Sequence, residues 1–270
     1  MLDAMLLLES VAVVSLLSVI ALRLRVLDLA GTALAALLGL IVYWAFGRGG
    51  FLVLALFVVV AGITTKFGYM KKSLKGGAEP RMGLRGWRNV AGNGLLAALI
   101  ALAQLMSPEP NEVLVSSYLG AVSAVFGDTM ATEVGLLSRG QPRLILGLGR
   151  VQPGTPGGVT LLGYLGALSS GIVLSGATIA LGALNPMSRS LSIPVAIGGA
   201  IVGTTVDSLV GQLFQAIYAC DGCGALTEHS LHCGRKGRLV KGYRIVGNQF
   251  VNFVASLSGA SWGLAVVLAS

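Results

Sequence analysis

The sequence predicts an all-α protein: a polytopic transmembrane bundle of about eight spans, N-terminus outside and basic loops cytoplasmic. Three observations carry this. Of 270 residues, 54% are apolar and only 11% charged, with a mean hydropathy of +0.83; a soluble domain carries about 25% charge. Apolar runs long enough to cross a bilayer, about 20 residues each, recur along the whole chain. The cations also separate cleanly into alternate loops.

The runs lie near residues 4 to 22, 28 to 46, 49 to 65, 89 to 106, 112 to 136, 159 to 184, 191 to 218 and 248 to 269. The first is no signal peptide, because Asp3 and Glu9 stand where such a peptide is positive and further spans follow. Eight spans assign every loop to a side. All but two of the 19 Lys and Arg then fall on one side, leaving only Arg48 and Arg189 with Asp3, Glu9, Glu109 and Glu112 opposite. The rule that basic loops stay inside orients the chain and accounts for the net charge of +8, so no nucleic-acid partner is implied. Membrane lipids are the expected surroundings, in the inner (plasma) membrane or another energy-transducing membrane; a homo-oligomer is left open.

One membrane domain spans 1–270, with cytoplasmic loops at 64–88, 137–158 and 219–247. No tandem repeat of fixed period is visible. Of 39 glycines, those at Gly163, Gly166 and Gly171, or Gly199 and Gly203, have the spacing that lets helix backbones approach closely.

Three acids interrupt apolar spans: Asp128, Glu133 and Asp207. An ionisable residue there costs about 2.5–3.5 kcal/mol on insertion scales, which marks a functional site, unless the helix end is hydrated. Thr204, Asp207, Ser208 and Gly211 share one helical face, as do Asn248, Asn252 and Ser256. A carboxylate opposite amide oxygens suits Mg2+, which also takes phosphate oxygens; interhelical hydrogen bonding by the asparagines is the alternative. Asp128 and Glu133, five apart, do not share a face of a straight helix.

The 64–88 loop holds Lys66, Lys71, Lys72, Lys75, Arg81, Arg85 and Arg88 and leads into Asn89 and Asn93. Such density can neutralise phosphates or touch anionic lipid. The turn Gln152-Pro153-Gly154-Thr155-Pro156-Gly157-Gly158 precedes the sixth span, where backbone N–H groups at a helix N-terminus would cradle a phosphate, or where Pro and Gly simply make a turn. Cys220 and Cys223, with His229, His232 and Cys233, can fill a tetrahedral Zn2+ site of Cys3His type; His229 is the expected fourth ligand because adjacent His232 and Cys233 are awkward together. Plain reduced cysteines and redox chemistry remain alternatives. A catalytic zinc is not expected, since nothing in the sequence places this segment at the acids.

Taken in order, Lys66-Phe67-Gly68-Tyr69-Met70-Lys71-Lys72, Ala78-Glu79 with Gly83-Leu84-Arg85-Gly86, Asn89-Val90-Ala91-Gly92-Asn93, Gly127-Asp128-Thr129 with Thr132-Glu133-Val134-Gly135, Pro153-Gly154-Thr155-Pro156-Gly157-Gly158 and the pair Asn248 and Asn252 resemble one family of integral membrane proteins. That family includes plant phytyl-phosphate kinase of tocopherol synthesis and animal transmembrane protein 19, and the resemblance covers about residues 60 to 260. Two departures stand out: Ala131-Thr132-Glu133 where members commonly show Ala-Ser-Glu, and Gly247 where an Asp often precedes the C-terminal Asn motif. The resemblance implies phosphate transfer from a nucleoside triphosphate, CTP in the plant case, to an isoprenoid monophosphate. It is also distantly similar to dolichol kinase and CDP-diacylglycerol synthase. On this reading Asp128, Glu133 and Asp207 hold Mg2+ with Asn248 and Asn252. Lys66, Lys71, Arg81, Arg85, Asn89 and Asn93 meet the nucleotide and lipid phosphates, as do the N–H groups of Gly154, Thr155, Gly157 and Gly158. The alternatives are a cytidylyltransferase acting on a lipid phosphate, or a transporter of an anionic solute or lipid.

Overall fold

A computed structural model describes residues 4–182 and 184–270, with the side chain of Pro80 also left aside. Asp3 and Ala183, the latter inside the expected sixth span, lie outside the described residues. The described chain is a helical bundle with short strands in two loops. Its helices, in order, are α1 (Ala4–Arg23), α2 (Leu29–Lys66), α3 (Tyr69–Leu74), α4 (Pro80–Gly83), α5 (Trp87–Met106), α6 (Glu112–Gly135), α7 (Leu161–Leu181), α8 (Ser192–Phe214) and α9 (Asn248–Leu268). Among the described residues seven of these are long and apolar enough to cross a membrane.

Seven helices make eight spans because α2 folds back on itself. At 38 residues it would stretch about 57 Å if straight, nearly twice a hydrocarbon core. Gly47 breaks it with φ +66 and ψ −163, a backbone setting that a residue with a side chain rarely adopts. The two arms then pack together: the rings of Tyr43 and Phe51 are 5.2 Å apart, and Gly39 lies against Phe51. Both ends of the hairpin meet on the basic face, where Gly62 touches Val26 and Lys66 donates to the Leu24 carbonyl. On the opposite face Glu9 pairs with Arg48 at 2.6 Å, and the Ser188 N–H donates to Glu112 at 3.3 Å. The contacts thus reproduce the two faces that the charges assign.

Caps set several boundaries. Asp28 accepts from the Gly31 N–H at 2.8 Å, Asn111 from Val113 and Leu114, and Thr160 from Gly163 at 3.0 Å, each satisfying a donor that a helix start leaves open. The seventh span ends at Phe214, short of the expected 218, because Ile217–Ala219 joins a sheet instead. That sheet has the order β4 (Leu226–Thr227), β3 (Ile217–Ala219), β7 (Arg238–Lys241), all antiparallel. A separate hairpin joins β5 (Leu231–His232) to β6 (Arg235–Lys236), and in the 137–158 loop β1 (Arg143–Leu144) pairs with β2 (Gly158–Val159). These strands qualify the all-α expectation only at the cytoplasmic surface.

The centre of the bundle is α6. Its span is 78% buried within the protein, against 39% or less for the other spans. Small residues allow this. Gly120 faces Gly199 of α8 and Gly259 of α9, Gly203 faces Ala124, and Gly263 meets the Ser116 carbonyl. Gly163 and Gly166 of α7 rest on the carbonyls of Ala131 and Met130, and Gly171 rests on Ile197. Without a hydrophobic drive between helices in lipid, close backbone approach of this kind supplies the association energy.

Candidate active site

The contact rows between α6 and α8 lead to the site. Gly120 faces Gly199, Ala124 faces Gly203, and one turn further toward the basic face the side chains of Asp128 and Asp207 meet within hydrogen-bonding reach. The small residues bring the helices close, and the same four-residue rows carry both acids into the contact. From α9, the Asn252 amide nitrogen donates to Asp207 Oδ2 at 3.2 Å and to the Asn248 carbonyl at 3.1 Å, and its oxygen accepts from Asn93 Nδ2 of α5 at 3.2 Å. Asn93 Nδ2 also donates to the Asn89 carbonyl at 2.7 Å. Four helices therefore converge on two carboxyls and two carboxamides.

Arg85 closes this cluster on the basic side. Its main chain is fixed by two hydrogen bonds to the link after α1: its N–H donates to the Val26 carbonyl at 3.0 Å, and its carbonyl accepts from Asp28 at 2.9 Å. Its side chain donates to Thr65 Oγ1 at 3.2 Å and lies close enough to Asp128 for the charges to interact. Its buried Nε has no hydrogen-bond partner, with Glu79 Oε1 3.9 Å away. Asn89 donates to that same Glu79 oxygen at 3.4 Å.

Glu133 stands apart from the two aspartates, contrary to the expected three-acid metal site. Lys72 reaches its Oε2 at 2.7 Å, Thr65 donates to its Oε1 at 2.7 Å, and Arg85 lies 3.8 Å away. Lys72 also donates to the Thr64 carbonyl. The five-residue spacing from Asp128 turns Glu133 toward the 64–88 loop, where it anchors a buried lysine. Among the described residues no three carboxylates gather closely enough to share one ion.

The other expected positions divide. Arg85, Asn89 and Asn93 border the acid pair. Lys66 is spent on Leu24, Lys71 is exposed, and Arg81 pairs with Asp28 at 3.1 Å. Asn248 is half-buried beside Asn252, its carbonyl accepting from that residue. The Gly-rich turn does not open the helix, since Thr160 caps α7 and Gly158 lies in β2. The N–H groups of Thr155 and Gly158 close turns onto Gln152 and Thr155, at 3.1 and 3.0 Å. The turn instead presses against α8 next to Asp207: a Cβ at Gly157 would come 2.7 Å from the Ser208 carbonyl.

Glu228, between β4 and β5, is the residue that sequence reasoning missed. Burial pushes its carboxyl up to about 7; Glu79 and Asp128 add to this, and a hydrogen bond from Gln215 opposes it. Its charge also reaches Asp207. The signal was an acid inside a loop with five cations between Arg235 and Arg244. Glu228 thus brings this segment within charge reach of the two aspartates, while the Cys/His cluster itself includes neither of them.

Chemically, two carboxyls in contact away from water must share a proton or a cation. The carboxyl oxygens are hard donors, which suit Mg2+ or Mn2+, and the Asn252 amide orients Asp207 through its N–H. The Arg85 guanidinium, within charge reach of Asp128 and with its Nε free of any hydrogen bond, suits a phosphate.

The chain matches the integral membrane protein family DUF92 over residues 12–260. It is 34% identical to an uncharacterized membrane protein of Synechocystis over 67% of this chain and 69% of the relative. It is 30% identical to protein PGR of Arabidopsis thaliana over 86% and 85% of the two chains. It is 27% identical to the Arabidopsis protein VTE6, chloroplastic, over 70% of this chain and 56% of that protein. No solved structure matches. Together with the motifs already described, these matches place the chain in the integral membrane protein family DUF92.

Proposed function

We propose that this multi-pass membrane protein is a CTP-dependent kinase of isoprenoid monophosphates, giving the prenyl diphosphate and CDP. The observation that carries the reading is the Asp128–Asp207 pair with Arg85 and Asn93 beside it, the latter two of which also line an apolar crevice. That crevice lies between α2 and α5, lined by Leu38, Phe57 and Val58 together with Arg85, Asn89 and Asn93. An apolar slot that also presents a cation and two amides suits a phosphate on a hydrocarbon, whose burial is worth about 0.8 kcal/mol per methylene. The motif resemblance to the family that includes phytyl-phosphate kinase points the same way.

Asp128 and Asp207 would hold Mg2+, with Asn252 orienting Asp207 and Asn248 beside it. Bound there, the ion neutralises charge on the triphosphate as it develops. Arg85 pairs with phosphate oxygens and lines up the two polyanions, and the enclosed helices keep water from competing. An oxygen of the prenyl monophosphate attacks the γ-phosphorus of CTP, the bond from that phosphorus to the β–γ bridging oxygen breaks, and CDP leaves. No general base is needed, because a phosphate nucleophile is already ionised. Positioning and charge neutralisation are what such transfer requires of a protein. Bacterial and archaeal relatives fit a plasma membrane, and the chloroplastic one fits another membrane.

The test is product identity. Detergent-purified protein with Mg2+, γ-labelled CTP and phytyl or geranylgeranyl phosphate should move the label into the lipid and release CDP. Release of pyrophosphate with a cytidylated lipid would replace the kinase by a cytidylyltransferase. No turnover of any prenyl phosphate would overturn the reading.

A further inference from the structure

The remaining cluster of chemistry-bearing side chains lies outside the proposed phosphate site and is independent of that reading. Cys220, Cys223, His232 and Cys233 bring one ligand atom each to within 4.8 Å of one another. Cys223 Sγ lies 3.7 Å from Cys233 Sγ, and His232 Nδ1 lies 3.3 Å from Cys233 Sγ and 3.5 Å from Cys223 Sγ. With Zn–S near 2.3 Å and Zn–N near 2.05 Å, the edges of a tetrahedron are about 3.8 Å between sulfurs and about 3.6 Å between sulfur and nitrogen. Cys220 Sγ lies within 4.8 Å of the other three, and the three separations among Cys223, His232 and Cys233 come close to those edges. They are not those of a disulfide, whose sulfurs sit about 2.05 Å apart.

The backbone explains how adjacent residues can both point inward. Cys233 and Gly234 have φ of +51 and +70, the two central residues of a tight hairpin turn between β5 and β6. That turn swings the Cys233 side chain back toward His232. On the other side, Cys220-Asp221-Gly222-Cys223 curls so that the Gly222 N–H donates to Cys220 Sγ at 3.4 Å and the Gly224 N–H to the Cys220 carbonyl at 2.8 Å. His229 takes no part in this cluster, and its N–H donates to Thr227 Oγ1 at 3.2 Å. The β5–β6 hairpin pairs only two residues per strand and exposes Leu231. A hairpin of that size is marginal in water without a further tie.

We propose that Cys220, Cys223, His232 and Cys233 bind a structural Zn2+ that ties the β5–β6 hairpin to the end of β3. Four protein ligands leave no open position, so the ion is structural. The clamp closes on both sides of the segment that carries Glu228, and so holds that segment in place.

The test is the metal content of the purified full-length chain, measured by mass spectrometry after dialysis against EDTA-treated buffer. Stoichiometric zinc is expected, with all three thiols unreactive toward a thiol reagent until a chelator is added. Co2+ in place of zinc should show the visible absorption of a tetrahedral thiolate centre. Zinc should persist in His229→Ala and fall at least tenfold in His232→Ala, both read on protein that remains monodisperse. A metal-free chain with three freely reacting thiols, or with a Cys223–Cys233 disulfide, would overturn the site. Loss of zinc in His229→Ala with retention in His232→Ala would overturn the ligand set.

Discussion

Lys72 Nζ lies 2.7 Å from Glu133 Oε2, both side chains almost wholly enclosed, and this ion pair fastens the basic loop to the end of α6. Removing one partner strands a charge. Lys72→Met or Glu133→Gln should therefore cost about 3–5 kcal/mol, seen as a large fall in Tm in detergent. The double variant Lys72→Met, Glu133→Leu should recover most of that loss, and Lys71→Ala should change little. A single variant as stable as the parent would contradict the pairing.

The glycine seam should tolerate no methyl group where backbone faces backbone. A Cβ at Gly120 would sit 2.1 Å from the Gly259 carbonyl, whereas at Gly176 it would meet nothing within 4 Å. Gly120→Ala should lose at least about 1–3 kcal/mol. Gly176→Ala should stay within about 0.5 kcal/mol of the parent. Equal melting temperatures for the two variants would contradict the packing.

Asp128 and Asp207 pose the opposite relation between stability and activity. Asp128→Asn and Asp207→Asn each replace one of two buried carboxyls in contact by a neutral group, so Tm should stay level or rise in metal-free buffer. Phosphoryl transfer should fall by about 10²-fold or more, because removing a group that acts on transition-state charge has that scale of effect. Unchanged turnover in either variant would remove it from the site.

Glu228 predicts a slope with pH. Its carboxyl titrates near 7 in the folded protein, above its ordinary 4.5, so between those values the folded state holds a proton that the unfolded state has lost. Stability therefore falls as pH rises across that window and is greatest below it. Glu228→Gln should flatten this part of a Tm-against-pH curve. A parent curve that rises between pH 5 and 7 with the same slope in the variant would contradict the burial of Glu228.

The spans, their sidedness and the glycine rows were legible because each rests on a local pattern, hydropathy, loop charge or four-residue spacing. So was Asp207 on its polar stripe. Glu133 was misplaced because an acid in a span looks like a ligand until its counter-charge is known, and Lys72 lies 61 residues away with nothing to set it apart from Lys71. The choice of His229 over His232 rested on adjacent residues being awkward as joint ligands. The pair Cys233-Gly234 carried a turn signal that reverses the preference. Thr160 before Leu161 likewise carried a capping signal, which moves the helix start away from the Gly-rich turn. Glu228, and the position of Glu79 beside Arg85 and Asn89, became visible only when the loops were placed over the bundle.

The most direct measurement is the electron paramagnetic resonance of Mn2+ added to the purified protein with a non-hydrolysable CTP analogue. A single bound Mn2+ is expected in the parent, with binding weakened at least about tenfold in the Asp128→Asn, Asp207→Asn double variant and unaffected by Glu133→Asp. Equal Mn2+ binding in the parent and the double variant would contradict an ion held between α6 and α8.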